Sequence, residues 1–373
     1  MKLKLLLVAL ALMLIVGCGV TGEVVKQEEV YTIGAVMPMS GANSDSYGVR
    51  VWRGVQIAQD EINSNGGING KRLEIIMEDS MAQPKEAIKA FQSLAARGVS
   101  AVISDVTVNS LYIAPFAEQS QIPIFTPGSA VPHLRDAGDF TFRAKVAGDI
   151  EAFKVAEKSV LVLNAKKAAV IVKNSDYGVG LGNAFVKKFE ELGGEITAYE
   201  KFETGDHDFR TYLLKIKSGE PDVIFSVSHS EEGGLIIKQA RELGVDVPFM
   251  INPSSWGPEV YRIAGEAAEG VYSFYEFDME GNNPRTKNVR EKYVKIAGTE
   301  PTIHPYLAYD IVYIYAGLLE QCGEDPICIK NRLYEVDHEG SSGRLRFDHN
   351  GDVIRDESDF ILKVFRDGEF VDA

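Results

Sequence analysis

Short apolar runs and longer amphipathic runs alternate along this chain, and the alternation starts again half-way. From Tyr31, "YTIGAVM" reads as a strand, and "YGVRVWRGVQIAQDEIN" carries Val51, Val55, Ile57, Ala58 and Ile62 at helical spacing. "RLEIIMED", "VSAVISD" and "IPIFT" read as further strands. They are separated by a helix "PKEAIKAFQSLAAR", opening on Pro84, and a helix "SLYIAPFAEQ", expected to break at Pro115. Strands alternating with helices imply a parallel sheet covered on both faces.

The pattern restarts after the helix "DIEAFKVAEKSVLVLN". The strands "KAAVIVKN", "EITAYEKF", "DVIFSVS" and "VPFMIN" alternate with the helices "GLGNAFVKKFEELG", "DFRTYLLKIKSG" and "EEGGLIIKQARELG". Beyond Gly270 the order breaks. A strand "GVYSFYEF" is followed by helices around Arg285–Ala297, Tyr306–Glu320 and Ile327–Tyr334, then strands "GRLRFD" and "DFILKVF". The 373 residues exceed one ordinary core, so two lobes are expected. The predicted fold is α/β, with two doubly wound parallel-sheet lobes joined by three hinge crossovers. Residues 31–146 plus 278–336 form the N-terminal lobe, and 147–277 plus 337–373 the C-terminal lobe. The crossovers are expected near "KVAGD", "YEFDM" and "VDHEG".

The first 30 residues give an address. Two lysines precede an apolar run of 12 residues, Leu5 to Val16, too short to span a bilayer. This reads as a signal peptide over 1–17. "IVGC" resembles a prokaryotic lipobox, which makes Cys18 the lipidated first residue of the mature chain and 18–30 a tether. The protein is thus expected outside the cytoplasmic membrane and anchored to it. The remaining cysteines, Cys322 and Cys328 in "CGEDPIC", suggest a disulfide if Gly323 and Pro326 turn the chain, and not if the segment is one helix.

Charge and motifs exclude several classes. With 39 basic and 54 acidic residues the net charge is −15, against a nucleic-acid partner. "GVGLGN" lacks the third glycine of a dinucleotide loop, and "GGINGK" is too short for a phosphate loop. In "GDHDF", Asp208 reads as a helix N-cap, not a metal ligand. No metal, cofactor or nucleophile–base set is expected, so a binder is favoured over an exported hydrolase. Ligands of open α/β sheets bind beyond the carboxyl ends of parallel strands. Those ends are "MPMSGANSDSYG", "SDVTVNS", "TPGSA", "NSDYG", "SVSHSEE" and "NPSSW", all rich in hydroxyls, amides, aromatics or glycine.

The chain resembles the leucine/isoleucine/valine-binding proteins of branched-chain amino acid ABC importers, type I periplasmic binding proteins, from Tyr31 to its C-terminus. The resemblance rests on "DEINSNGGINGKRLEII", "IFTPGSA", "NSDYGVGLG", "IAGEAAEGVYSF", "HPYLAYD" and "GSSGRLRFDHNGD". It implies a monomeric receptor that encloses a small ligand between its lobes and hands it to an ABC permease. Thr107, Ser129 and Ala130 then stand at the carboxylate site. Gly128 allows close approach, and Tyr47, Tyr177, His229 and Tyr306 stand at pocket positions. The family's ammonium-pairing glutamate follows "FMGP"; here "FMINPSSW" offers Ser254 and Trp256 instead. Glu231, Glu232, Glu276 or another acid would have to replace it. Otherwise the ligand is a non-amino carboxylate, an amide or a urea-like solute, or the chain is a sensor of the same fold.

Overall fold

The computed structural model describes residues 29–41, 44–105, 107–253, 258–281 and 283–373. Its first sheet contains β1 (Val30–Met37), β2 (Arg72–Asp79), β3 (Val102–Ser104), β4 (Ile124–Thr126) and β5 (Thr141–Arg143). The order is β2-β1-β3-β4-β5, parallel throughout. Helices α1 (Val49–Ser64), α2 (Pro84–Ala96) and α3 (Thr107–Ser120) connect the strands. The predicted stripe of α1, from Val51 to Ile62, is buried against the sheet. The expected break at Pro115 does not occur, and α3 runs through it. Proline removes one helical hydrogen bond, but Ile113, Ala114 and Ala117 are fully buried around it and hold the helix in place.

The chain then passes to a second sheet. Its strands β6 (Lys167–Lys173), β7 (Glu195–Phe202), β8 (Val223–Val227), β9 (Phe249–Ile251) and β10 (Val271–Tyr275) repeat the first winding, in the order β7-β6-β8-β9-β10. Helices α4 (Gly148–Leu161), α5 (Asp176–Glu191), α6 (Arg210–Ser218), α7 (Ser230–Glu242) and α8 (Pro258–Ala264) cover its two faces. One core gathers Val155, Phe185 and Phe225; the other gathers Ile171, Leu213, Ile237 and Phe249. The helix expected to begin near Gly180 already begins at Asp176, so "GVGLGN" lies within its first turns. The cap of α6 is Phe209, not Asp208, although Asp208 Oδ1 still accepts the Arg210 N–H at 3.2 Å. Phe209 is fully buried and its N–H donates to Gln239 Oε1 at 2.7 Å, which fixes where that helix starts.

After β10 the chain returns. Helices α9 (Pro284–Ala297), α10 (Ile303–Cys322) and α11 (Pro326–Leu333) pack Val289, Tyr293, Leu307, Ile311 and Tyr315 into the core beneath β1. Strands β11 (Asp337–Gly340), β12 (Gly343–Phe347) and β13 (Val353–Ile354) form a small antiparallel sheet. Leu345 and Phe347 of β12 share the core of the first sheet, with the Phe347 ring 5.2 Å from that of Phe125. The second sheet is regained only at β14 (Ile361–Arg366), which pairs antiparallel with β10 and with β15 (Glu369–Asp372). Cys322 ends α10, Gly323 turns the chain at φ 61°, and Pro326 opens α11. The two cysteines therefore sit on different helices, disulfide-bonded with Cα atoms 5.7 Å apart.

Candidate ligand-binding site

In each sheet the strand order reverses beside its first strand, the place where ligands bind beyond the carboxyl ends of open α/β sheets. In the first sheet the loop after β1 carries Tyr47 in a single turn, Ser44–Gly48, that leads into α1. Only glycine fits at position 48, since a Cβ would lie 2.1 Å from the Pro38 carbonyl oxygen. The Tyr47 ring meets the His304 ring edge-on at 5.3 Å. Burial, followed by the Asp105 charge, pushes the Tyr47 phenol up to about 12, while Lys145 and Arg50 oppose that shift. Asp105 itself, just beyond β3, is fully buried. Thr107 opens α3.

Strand β4 ends at Thr126, as predicted, but the donors beyond it are not all free. Thr126 Oγ1 accepts the Gly128 N–H at 3.3 Å and the Ser129 N–H at 3.2 Å. A threonine bonding its own downstream backbone makes a local turn and fixes the direction of those N–H groups. The Ala130 N–H is the donor of this stretch that Thr126 does not engage. The Ala130 carbonyl accepts the Gly148 N–H at 2.7 Å, which stitches the turn to the start of α4. Arg143 adds a second tie, donating to the Val131 carbonyl at 2.7 Å while pairing with Asp352 at 2.5 Å.

The second sheet offers Tyr177 and His229. Ser175 caps α5 by accepting the Gly178 N–H at 3.1 Å, and this places Tyr177 in the first turn. Asn252 donates its amide to the Tyr177 hydroxyl at 3.3 Å and accepts the Ser228 N–H at 3.3 Å, linking the ends of β8 and β9. His229 caps α7 in a reciprocal box with Glu232. Burial, and then the Lys173 charge, hold its imidazole below the ordinary value. Glu232 is committed, since it also pairs with Lys173 at 2.7 Å. Glu231 is exposed. Neither is therefore a spare buried acid.

Glu276, the third acid considered, is buried where β10 ends. One of its oxygens accepts the Val146 N–H at 2.7 Å and the other pairs with Lys145 at 3.1 Å. Lys145 also reaches Glu151 of α4 at 3.2 Å. All three residues are 2 % exposed. Sequence reading passed over Lys145, Glu151 and His304. The only signal was a lysine in the apolar crossover "RAKVAGD", which needs an acid partner if buried. Tyr306, expected to line the pocket, instead packs in the first core, 1 % exposed and edge-on to Phe277 at 5.6 Å. The Thr107 side chain, Ser254, Trp256 and Cys18 lie outside the described residues. Among the described residues no group of His, Cys, Asp and Glu is arranged to hold a metal ion.

Two similar windings, each with polar residues at its strand ends, match known proteins closely. The sequence profile of the periplasmic binding protein family matches residues 30–358. The chain belongs to that family. This binding protein is 30% identical, over 86% of each chain, to the Leu/Ile/Val-binding protein homolog 1 of Brucella suis. It superposes with a TM-score of 0.82 and 26% identity on the branched-chain amino acid transporter substrate-binding protein LivJ of Streptococcus pneumoniae, in complex with isoleucine, covering 92% of this chain and 98% of that one. The leucine-binding protein LivK of Thermotoga maritima gives 0.80 and 30%, with the same coverage. The binding protein is thus an ABC-transporter substrate-binding protein of the type I fold, a family that works outside the cytoplasm.

Proposed function

We propose that this chain is a lipid-anchored receptor, attached through Cys18, that binds a hydrophobic amino acid between its lobes and presents it to an ABC permease as a monomer. The lobes are residues 31–146 with 278–336, and 147–277 with 337–373, except that Leu345 and Phe347 of β12 pack in the first core, which moves the small sheet β11–β13 to the first lobe. The single observation that carries the ligand class is the chemistry facing the crevice. Neutral donors of the Thr126–Ala130 turn suit a carboxylate, and the tyrosines Tyr47 and Tyr177 suit an apolar side chain. Acidic groups at the crossover suit an ammonium. Relatives named for leucine, isoleucine and valine support the same class. Thr107, Gly128, Ser129 and Ala130 are proposed at the carboxylate end. His229, Ser254, Trp256 and Tyr306 are proposed on or behind the pocket wall.

Mass spectrometry of the ligand that co-purifies, followed by calorimetric titration with leucine, isoleucine and valine, tests the reading. Saturable binding that raises the melting temperature supports it. Co-purification of a non-amino carboxylate, an amide or a urea-like compound, with no response to the amino acids, overturns it.

A further inference from the structure

We propose that Glu151, at the start of α4, receives the ligand's ammonium group, in a buried cluster where two glutamates share one lysine. This rests on the amino-acid reading above and names the group that would complete it. Lys145 donates to Glu151 Oε2 at 3.2 Å and to Glu276 Oε1 at 3.1 Å. Glu276 Oε2 is satisfied by the Val146 N–H. Glu151 Oε1 is buried and has no hydrogen-bond partner among the described residues. Arg355 acts on Glu276, so Glu151 is the carboxylate that has no cation of its own beyond the shared lysine. A buried carboxylate oxygen without a donor is costly, and a cationic donor offsets both the missing bond and the charge.

A second orphan marks the same space. His304 Nε2 is buried and has no partner among the described residues. Burial, with the Lys145 and Arg50 charges, lowers its pKa to about 3, so the ring is neutral and supplies no cation to the glutamates. Tyr47 connects the two orphans. Its ring lies on His304, and the Glu151, Lys145 and Asp105 charges all act on its phenol. Tyr177 faces Lys145 from α5, and Arg355 faces Glu276. Glu151 and the tyrosine of the first loop thus belong to opposite lobes and face one another. An ammonium placed between them would meet Glu151 Oε1. This is a different position from the loop after β9, where the resemblance would place the acid.

The empty site has a consequence that can be measured. Burial, followed by the Glu276 charge, raises the Glu151 carboxyl above its ordinary range against the pull of Lys145. It therefore holds a proton to higher pH than an exposed glutamate would. An arriving ammonium favours the carboxylate, so that proton leaves to solvent. Affinity for the amino acid then rises with pH through the Glu151 titration of the empty protein, whereas a ligand without an ammonium displaces no such proton.

The test compares leucine with 4-methylpentanoate, its deaminated analogue, on the native protein and on Glu151→Gln. The variant should lose leucine affinity by about tenfold or more, the scale of a charged hydrogen bond. It should keep or improve its affinity for 4-methylpentanoate. Calorimetry of the native protein over a pH series, in buffers of different ionisation enthalpy, should show a window of proton release with leucine and none with 4-methylpentanoate, a readout that needs no variant. Equal losses for both ligands, or leucine binding without proton release at any pH of the series, would overturn the assignment while leaving the amino-acid reading intact. A native protein that binds neither leucine nor its relatives would overturn both.

Discussion

The turn Thr126–Ala130 and the crossover Arg143–Ala147 are neighbours, tied by the Ala144 N–H bonding the Thr126 carbonyl at 3.0 Å, yet they approach polarity in opposite ways. The turn contains no formal charge and works with backbone dipoles and hydroxyls. The crossover buries a lysine between two glutamates. An anion can be held by neutral N–H groups that are always present in a polypeptide, so that end of a site costs little when empty. A cation needs an acid, and an acid buried without its ligand needs its own counter-charge. The cleft thus has an inexpensive end and an expensive one, and Lys145 is what allows the expensive end to exist without ligand.

Removing that counter-charge is the most damaging change we foresee. Lys145→Met leaves Glu151 and Glu276 without the cation they share, which should cost about 3–5 kcal/mol of stability. Thermal melts over a pH series check it. Glu151 already sits above the ordinary carboxylate value in the folded protein. Its contribution is therefore fully present below its unfolded pKa and is lost as pH rises through its folded one. The defect of the variant should shrink in acid and grow toward neutral pH. A melting temperature equal to the native one at neutral pH would mean that the cluster does not share one charge balance.

Reducing the Cys322–Cys328 bond should be next in size, and it tells stability apart from binding. Chain-entropy arguments give about 2 kcal/mol for so short a loop. The bridge lies at the C-terminal end of α10, whereas His304 lies at the N-terminal end of this 20-residue helix, roughly 30 Å away. Denaturant melts should therefore shift under reductant while ligand affinity stays constant. A matching fall in affinity would show that α10 transmits strain to the cleft.

Thr126→Val acts on the inexpensive end. It keeps the shape of a fully buried side chain and removes the oxygen that holds two N–H groups of the turn. Ligand affinity should fall by about 1–2 kcal/mol, the scale of one or two hydrogen bonds. The loss should be the same for leucine and 4-methylpentanoate, because both carry the carboxylate. Selective loss for leucine would assign the wrong end of the ligand to this turn.

These two ends also differ in how far the sequence revealed them. The strand end and its turn were legible because the residues are adjacent, an apolar run passing directly into Thr-Pro-Gly-Ser-Ala. The doubled winding was legible for the same reason, each strand and helix announcing itself within a few residues. What stayed hidden joins distant segments. Lys145, Glu151 and Glu276 come from a crossover, a helix and a strand end separated by up to 131 positions, and no local pattern pairs them. His304 escaped notice because Tyr306, two residues on, was the more conspicuous candidate. Two positions along a helix differ by about 200°, enough to turn one side chain to the cleft and the other to the core. The strand β5, three residues long, carries too little alternation to be seen.

The smallest effect concerns how the second lobe orients its tyrosine. The Asn252 amide reaches the Tyr177 hydroxyl at 3.3 Å, and its carbonyl takes the Ser228 N–H at the same distance. Both bonds are long, so each contributes less than an ideal pair. Tyr177→Phe removes one bond and leaves the ring, and affinity should fall by about 0.5–1 kcal/mol. Asn252→Ala removes both bonds and should cost somewhat more, since a buried Ser228 N–H also loses its acceptor. In a double-mutant cycle the two changes should couple, the combined loss being smaller than the sum, because one bond is counted in both. If they add, Tyr177 meets the ligand independently of Asn252, and the charged crossover rather than β9 sets its position.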